Sequence, residues 1–256
     1  MKLIGGLDEI VHRRAIKRWT KIGDETEDLD RFSLAALRKQ AEDLRERLDR
    51  VIEMTDHRLA SPVTGSSDLM QTSLDGDWIG RPRTFRHKIV PAFVSEPQSG
   101  ASFGNEINLF HDAGRPEVMI KQRAGQGRTG AAPYGLEVDT LDFDGSFLSL
   151  AFNIDDEIAV GLITSHIVQI DLNWETESLT TCYARLNVQH GPNTEQITRS
   201  VDIASTSPTV EFDLAYSDIH EERVERVWVD VIFERPRMSW LALRDMIVSR
   251  RLRAEV

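Results

Sequence analysis

The chain is short of the residues that staple or anchor a protein. It has one cysteine in 256 residues, Cys182. No intrachain disulfide can form, so the fold owes nothing to an oxidising compartment. Cys182 falls on the apolar side of a strand-like run and reads as a small core residue, because a reactive thiolate needs exposure and positive neighbours. Long hydrophobic runs are also missing. Nothing approaches the roughly 18 apolar residues of a membrane span. The opening MKLIGGLDEIVHRR interrupts its apolar stretch with Asp8 and Glu9, and no small-residue cleavage site follows. No signal peptide is expected, and the expected location is the cytoplasm or a particle released by lysis. There is no basic excess either. Lys+Arg number 31 against 42 Asp+Glu, a net charge of -11, which argues against nucleic acid as a partner.

Catalytic and metal signatures are equally scarce. The histidines His12, His57, His87, His111, His166, His190 and His220 form no H-E-x-x-H, H-x-H or Cys/His zinc pattern. There is no G-x-S-x-G elbow and no P-loop. Gly125, Gly127 and Gly130 have the G-x-G-x-x-G spacing, but the following AAPYGLEVD cannot open the helix that a dinucleotide site requires. A surface loop is expected instead. Asp139, Asp142 and Asp144 crowd a turn at Gly145 and are the candidate calcium ligands, without the EF-hand spacing. Solvated turn acids are the competing reading. No other cofactor is expected. A saccharide hydrolase stays open as an alternative, because its carboxyl pair is defined in space and not along the sequence.

What is present divides the chain in two. Residues 1–60 balance 13 basic against 13 acidic groups, while the remainder holds 18 against 29. Ile4, Leu7, Val11, Ala15, Trp19 and Ile22 form one helical stripe, with Arg13, Arg14, Lys17, Arg18 and Lys21 on the other side. Residues 4–22 therefore read as a surface helix, with peripheral membrane contact as the alternative. A second helix is expected over 34–59 with Ser33 as its N-cap. Its apolar positions Leu34, Leu37, Ala41, Leu44, Leu48 and Val51 follow the 3-4 rhythm of a heptad seam, which points to a homo-oligomer. The Ser/Thr/Gly/Pro-rich stretch 60–76 reads as a linker.

From residue 77 the period changes from about 3.6 to 2. Val168, Ile170, Leu172 and Trp174 alternate with Ile167, Gln169, Asp171 and Asn173. Cys182, Ala184, Leu186 and Val188 alternate with Tyr183, Arg185, Asn187 and Gln189. Val227, Val229, Val231 and Phe233 alternate with Trp228, Asp230, Ile232 and Glu234. Such strands, divided by turn clusters such as HGPN and with no helical crossover, predict a mainly β chain. It would be an antiparallel β-sandwich of jelly-roll type over 77–256, ending in a strand through Leu241–Val248 and a basic tail.

The wet strand faces carry the functional expectation. Tyr183, Arg185, Asn187 and Gln189 lie on one strand, and Gln169, Asp171 and Asn173 on the preceding one. A hairpin through ETES would let them share a face, with Trp228 and Asp230 as a similar set further on. Amides, Asp and Arg suit sugar hydroxyls, and an aromatic ring suits a sugar's C–H face. The alternative is a face covered by helices or by another subunit.

The closing segment VERVWVDVIFERPRMSWLALRDMIVS, with Leu243 and Asp245, resembles the last two strands of carbohydrate-binding-module jelly rolls. YARLNVQHGPNTEQI, WVDVIFERP and LRDMIVSRRLRAE resemble an uncharacterised alphaproteobacterial family of unknown function over nearly the whole chain. A helical stem before a sandwich is similar to spike and fibre proteins of phage-like particles, including gene transfer agents. The resemblance to the uncharacterised family implies no activity and no site residues, and the expectation for the chain as a whole is a non-enzymatic protein that recognises glycan or another protein. A structural subunit of a larger assembly is the alternative.

Overall fold

The computed structural model describes residues 6–26, 29–60, 76–104, 107–125, 131–179 and 181–253. The expected linker therefore falls almost wholly outside the described residues, as do Gly127 and Gly130. The chain divides into two compact units, Met1–Met54 and Thr55–Val256.

The first unit holds helix α1 (Gly6–Asp24) and all but the last six residues of α2 (Arg31–Ala60). The second helix starts earlier than its sequence predicts, because Asp30 and not Ser33 caps it. Asp30 Oδ1 accepts from the backbone N–H of Phe32 at 2.8 Å and of Ser33 at 3.1 Å. The Ser33 hydroxyl donates to Oδ2 at 2.6 Å. An ionised carboxylate satisfies two of the orphan N–H groups and complements the helix dipole, which a serine hydroxyl does less well. The Ser33 hydrogen bonds hold Asp30 below the usual carboxylate range. No described helix is long and apolar enough to cross a membrane.

The second unit is a sandwich of two antiparallel sheets, as the period-2 pattern predicts. The seven-stranded sheet runs in the order β11 (Thr209–Asp213), β8 (His166–Glu177), β13 (Ser239–Leu252), β6 (Tyr134–Thr140), β5 (Val118–Ala124) and β2 (Phe93–Ser95). Strand β1 (Trp78–Gly80) pairs with the C-terminal half of β13. The six-stranded sheet runs β10 (Asn193–Ser200), β9 (Cys182–His190), β12 (Val224–Glu234), β7 (Phe147–Asn153), β4 (Ile107–His111) and β3 (Ser102–Phe103). A short helix, α3 (Arg83–Arg86), follows β1.

One core lies between the sheets. Val168, Ile170, Leu172 and Trp174 of β8 meet Ala184, Leu186, Val229 and Val231 of the opposite sheet in a single cluster. Cys182 belongs to it at 1% exposure, and burial pushes its thiol well above the ordinary range. The Gly-rich stretch after β5 joins two antiparallel neighbours, with Ala124 opposite Tyr134, so no helix follows it. The final strand runs through Leu252, beyond the expected end at Val248. Arg250, expected in the basic tail, is buried and donates two hydrogen bonds to Asp77 at 2.9 and 2.8 Å. That pair anchors β13 beyond its apolar stretch.

Two strands expected to pair do not. β8 and β9 lie in different sheets. Each has one apolar side, and the two sides face each other across the core. Their polar sides therefore look outward from opposite surfaces of the sandwich. The expected shared face of Gln169, Asp171 and Asn173 with Tyr183, Arg185, Asn187 and Gln189 is thus replaced by two separate faces.

Candidate functional site

The β9 set finds its partners on β10 and β12. The β9–β10 hairpin turns through Gly191 and Pro192, with His190 opposite Asn193. Gly191 has φ 60°, the left-handed geometry that a two-residue hairpin asks of its first central residue. Across the other edge, Asn187 stands opposite Trp228, Arg185 opposite Asp230, and Tyr183 opposite Ile232. Ile232 is in turn opposite Ser149 of β7, and Ser149 is opposite Phe110 of β4. One outer face thus carries Tyr183, Arg185, Gln189, Trp228 and Asp230 of the predicted site. It also carries Arg226, Phe110, Gln196 and Ser149, which sequence reasoning missed. Arg226 shares the β12 alternation with Trp228 and was legible in it. Phe110 was not, because its place beside Ser149 depends on sheet order.

The centre of this face is a saturated polar strut. Arg185 donates to Asp230 Oδ2 through Nε at 2.7 Å, and its NH2 lies 2.6 Å from the same oxygen. Asn187 Nδ2 donates to Asp230 Oδ2 at 3.1 Å, while its Oδ1 accepts from Gln196 at 3.0 Å. Asn187 and Asp230 are buried, at 0% and 2% exposure, and stand beneath the surface. Around them, Tyr183 and Trp228 are half-buried and Phe110 is 43% exposed. The Arg226 guanidinium lies 5.4 Å from the Trp228 ring centroid and donates to Asn153, fixing the ring's orientation. The Ser149 hydroxyl in the same row is buried and has no partner among the described residues.

The opposite outer face has a different character. Gln169 Nε2 donates to both oxygens of Asp171 at 2.9 Å, and the Thr209 hydroxyl donates to Oδ1 at 2.6 Å. Asn173 is half-buried and donates weakly to Ser207 at 3.4 Å. Gln169 and Asp171 are 1% and 2% exposed. Burial pushes the Asp171 carboxyl up, against the pull of its hydrogen bonds with Thr209 and Gln169, and the Glu211 carboxylate adds to the rise.

This gives a pH prediction. A carboxyl whose folded pKa is raised contributes stability that is fully present below its unfolded value of about 3.9 and is lost as pH rises through the folded value. Asp171→Asn removes that contribution. The variant should lose stability more steeply than the natural chain as pH is lowered from neutral towards 4 in urea unfolding. Parallel pH curves would refute the assignment.

The predicted calcium ligands do not converge. Asp142 lies 3.6 Å from Arg115 and also pairs with Arg237. Asp144 accepts the Arg115 backbone N–H at 2.9 Å, which holds it below the usual range. Asp139 sits half-buried on β6. Among the described residues, no three His, Cys, Asp or Glu side chains are grouped to hold a metal ion.

The sandwich is similar to the family 11 carbohydrate-binding module from Clostridium thermocellum, solved with a β-1,3-1,4-mixed-linked tetrasaccharide. The identity is 11% and the TM-score 0.36, over 62% of this chain and 97% of that one. It is also similar to the CBM22-1 xylan-binding domain from Paenibacillus barcinonensis, at 9% identity and TM-score 0.34, over 70% of this chain and 97% of that one. Both likenesses concern the fold. No curated protein matches the chain significantly. At the level of sequence the match is to one profile that spans residues 2–256, and the chain belongs to the family it describes, a family of unknown function (DUF6478).

Proposed function

We propose that the outer face of β9 and β12 binds a neutral oligosaccharide chain, and that the protein is a non-enzymatic binding protein. The observation that carries this reading is the pair of accessible rings, Tyr183 and Trp228, bracketing the Arg185–Asp230 pair on adjacent strands. Tyr183 is opposite Ile232, four residues beyond Trp228. At ~3.4 Å per residue the rings are about 14 Å apart along the strands. That is longer than one sugar ring, so the platform suits a chain. Gln189, Gln196 and Thr198 line the same face with groups that pair with hydroxyls.

The charge of Arg185 is already neutralised by Asp230, so this pair offers a uronate or sulfate no free cation, and Arg226 beside Trp228 is the charge that would discriminate. Asp230 is ion-paired and buried, a poor state for the acid or base of a hydrolase, which supports binding over catalysis.

The test is affinity electrophoresis or calorimetry with neutral polysaccharides and their oligosaccharides of rising length. Trp228→Ala and Tyr183→Ala should each weaken binding by about tenfold or more, ~1.4 kcal/mol, while unfolding cooperatively as the natural chain does. Affinity should climb with chain length and level off once both rings are covered. Silence across such polysaccharides, or binding indifferent to both rings, would sink the reading.

A further inference from the structure

Among the described residues, the apolar seam of α2 is exposed over most of its length and half-buried at its start. Leu44, Leu48 and Val51 are 36%, 52% and 58% exposed, and Leu34, Leu37 and Ala41 are nowhere fully buried. Most of a helix's stability in a protein comes from packing its apolar face, so burying the exposed Leu44 and Leu48 would stabilise this helix of 30 residues. The charges beside the seam say which partner can bury it.

With Leu34, Ala41 and Leu48 at the a positions and Leu37, Leu44 and Val51 at d, the flanking e positions carry Arg38 and Arg45. The flanking g positions carry Ser33, Gln40 and Arg47. The carboxylates Glu42, Asp43, Glu46 and Asp49 lie on the far side of the helix. Two of them hold the flanking arginines by i,i+4 pairs, Arg38–Glu42 at 2.9 Å and Arg45–Asp49 at 3.9 Å. In an antiparallel pair, e faces e and g faces g, and the register that pairs Leu34 with Val51 and Ala41 with Leu44 would set Arg38 and Arg45 against each other at both ends, with Arg47 beside Gln40. In a parallel pair, g faces e of the next heptad. Ser33 and Gln40 then stand opposite Arg38 and Arg45, and Arg47 stands opposite the uncharged position 52. The parallel arrangement has no like-charge contact at this seam, and it offers hydroxyl and amide acceptors to two arginines.

We propose that α2 pairs in parallel with α2 of a second copy of this chain. The C-terminal ends of the two stems then emerge together, and two glycan platforms share one assembly. This would make a second sugar contact intramolecular and raise avidity. The pairing stands independently of the glycan reading.

The test uses the full chain and two variants. Leu37→Cys places a thiol at a d position, where a parallel pair brings the two copies face to face. Mild oxidation should give a disulfide-linked dimer in high yield. The natural chain is the control, because its Cys182 is buried at 1% exposure. Leu44→Asp/Leu48→Asp should raise the dimer dissociation constant about a hundredfold or more in sedimentation, with the sandwich's unfolding transition unchanged. Any of three results would overturn the proposal. These are a natural chain that stays monomeric from micromolar concentration upward, a dimer that Leu37→Cys does not cross-link with itself, and a monomer that instead binds vesicles of anionic lipid.

Discussion

Trp174→Ala is expected to destabilise the sandwich by about 3–5 kcal/mol. Trp174 is the largest fully buried side chain among the described residues, 1% exposed, in the C-terminal half of β8. Removing the indole leaves a cavity between two packed sheets whose strands are held by their hydrogen-bond ladders, so the walls relax into it only in part. It also leaves the Ser205 carbonyl without the Nε1–H that donates to it at 2.8 Å. Urea unfolding of the natural chain, Trp174→Ala and Trp174→Phe separates these contributions. Phenylalanine refills most of the volume but not the hydrogen bond, so its loss should fall well below that of alanine. A loss under about 1 kcal/mol for Trp174→Ala would mean that the two sheets do not share this core.

Arg81→Met should cost about 3–5 kcal/mol at neutral pH, because it strands a buried carboxylate. Arg81 is fully buried and donates bidentately to Asp245, Nε to Oδ1 at 2.8 Å and NH2 to Oδ2 at 2.9 Å. Burial raises Asp245 from the carboxylate range, and the guanidinium works against that rise. Without Arg81 the burial is opposed only by the Met246 backbone N–H, and the folded pKa, already raised, rises further above the unfolded value. The sign follows from linkage. The single variant regains stability as pH falls towards about 4, where the carboxyl is protonated in both states. Arg81→Met/Asp245→Leu should recover most of the loss, since an apolar pair of similar volume replaces a buried ion pair at little cost. Failure of the double variant to recover, with no acid rescue of the single one, would show that Arg81 acts by packing alone.

Much of the molecule was legible in the sequence. The period of two over Val168–Trp174, Cys182–Val188 and Val227–Phe233 marks half-buried strands, and the structure buries those residues. HGPN is the β9–β10 turn, because Gly191 supplies a positive φ that few other residues adopt without strain. Trp228 and Asp230 were grouped by their alternation alone, and they do stand beside the β9 row. The N-cap was misread by three residues because both Asp30 and Ser33 are good caps, and only the backbone geometry chooses between them.

Local alternation determined which side of each strand is dry and which is wet, because that depends only on a residue's neighbours along the chain. Tertiary structure alone decided which sheet each strand joins. An apolar side fits either inner wall of a sandwich equally well, so β8 and β9 read alike in the sequence and yet lie on opposite walls. For the same reason Arg81 met Asp245 across 164 residues and Arg185 met Asp230 across 45. Those pairings are set by strand order and register. Packing the whole core fixes both, and no single segment encodes them.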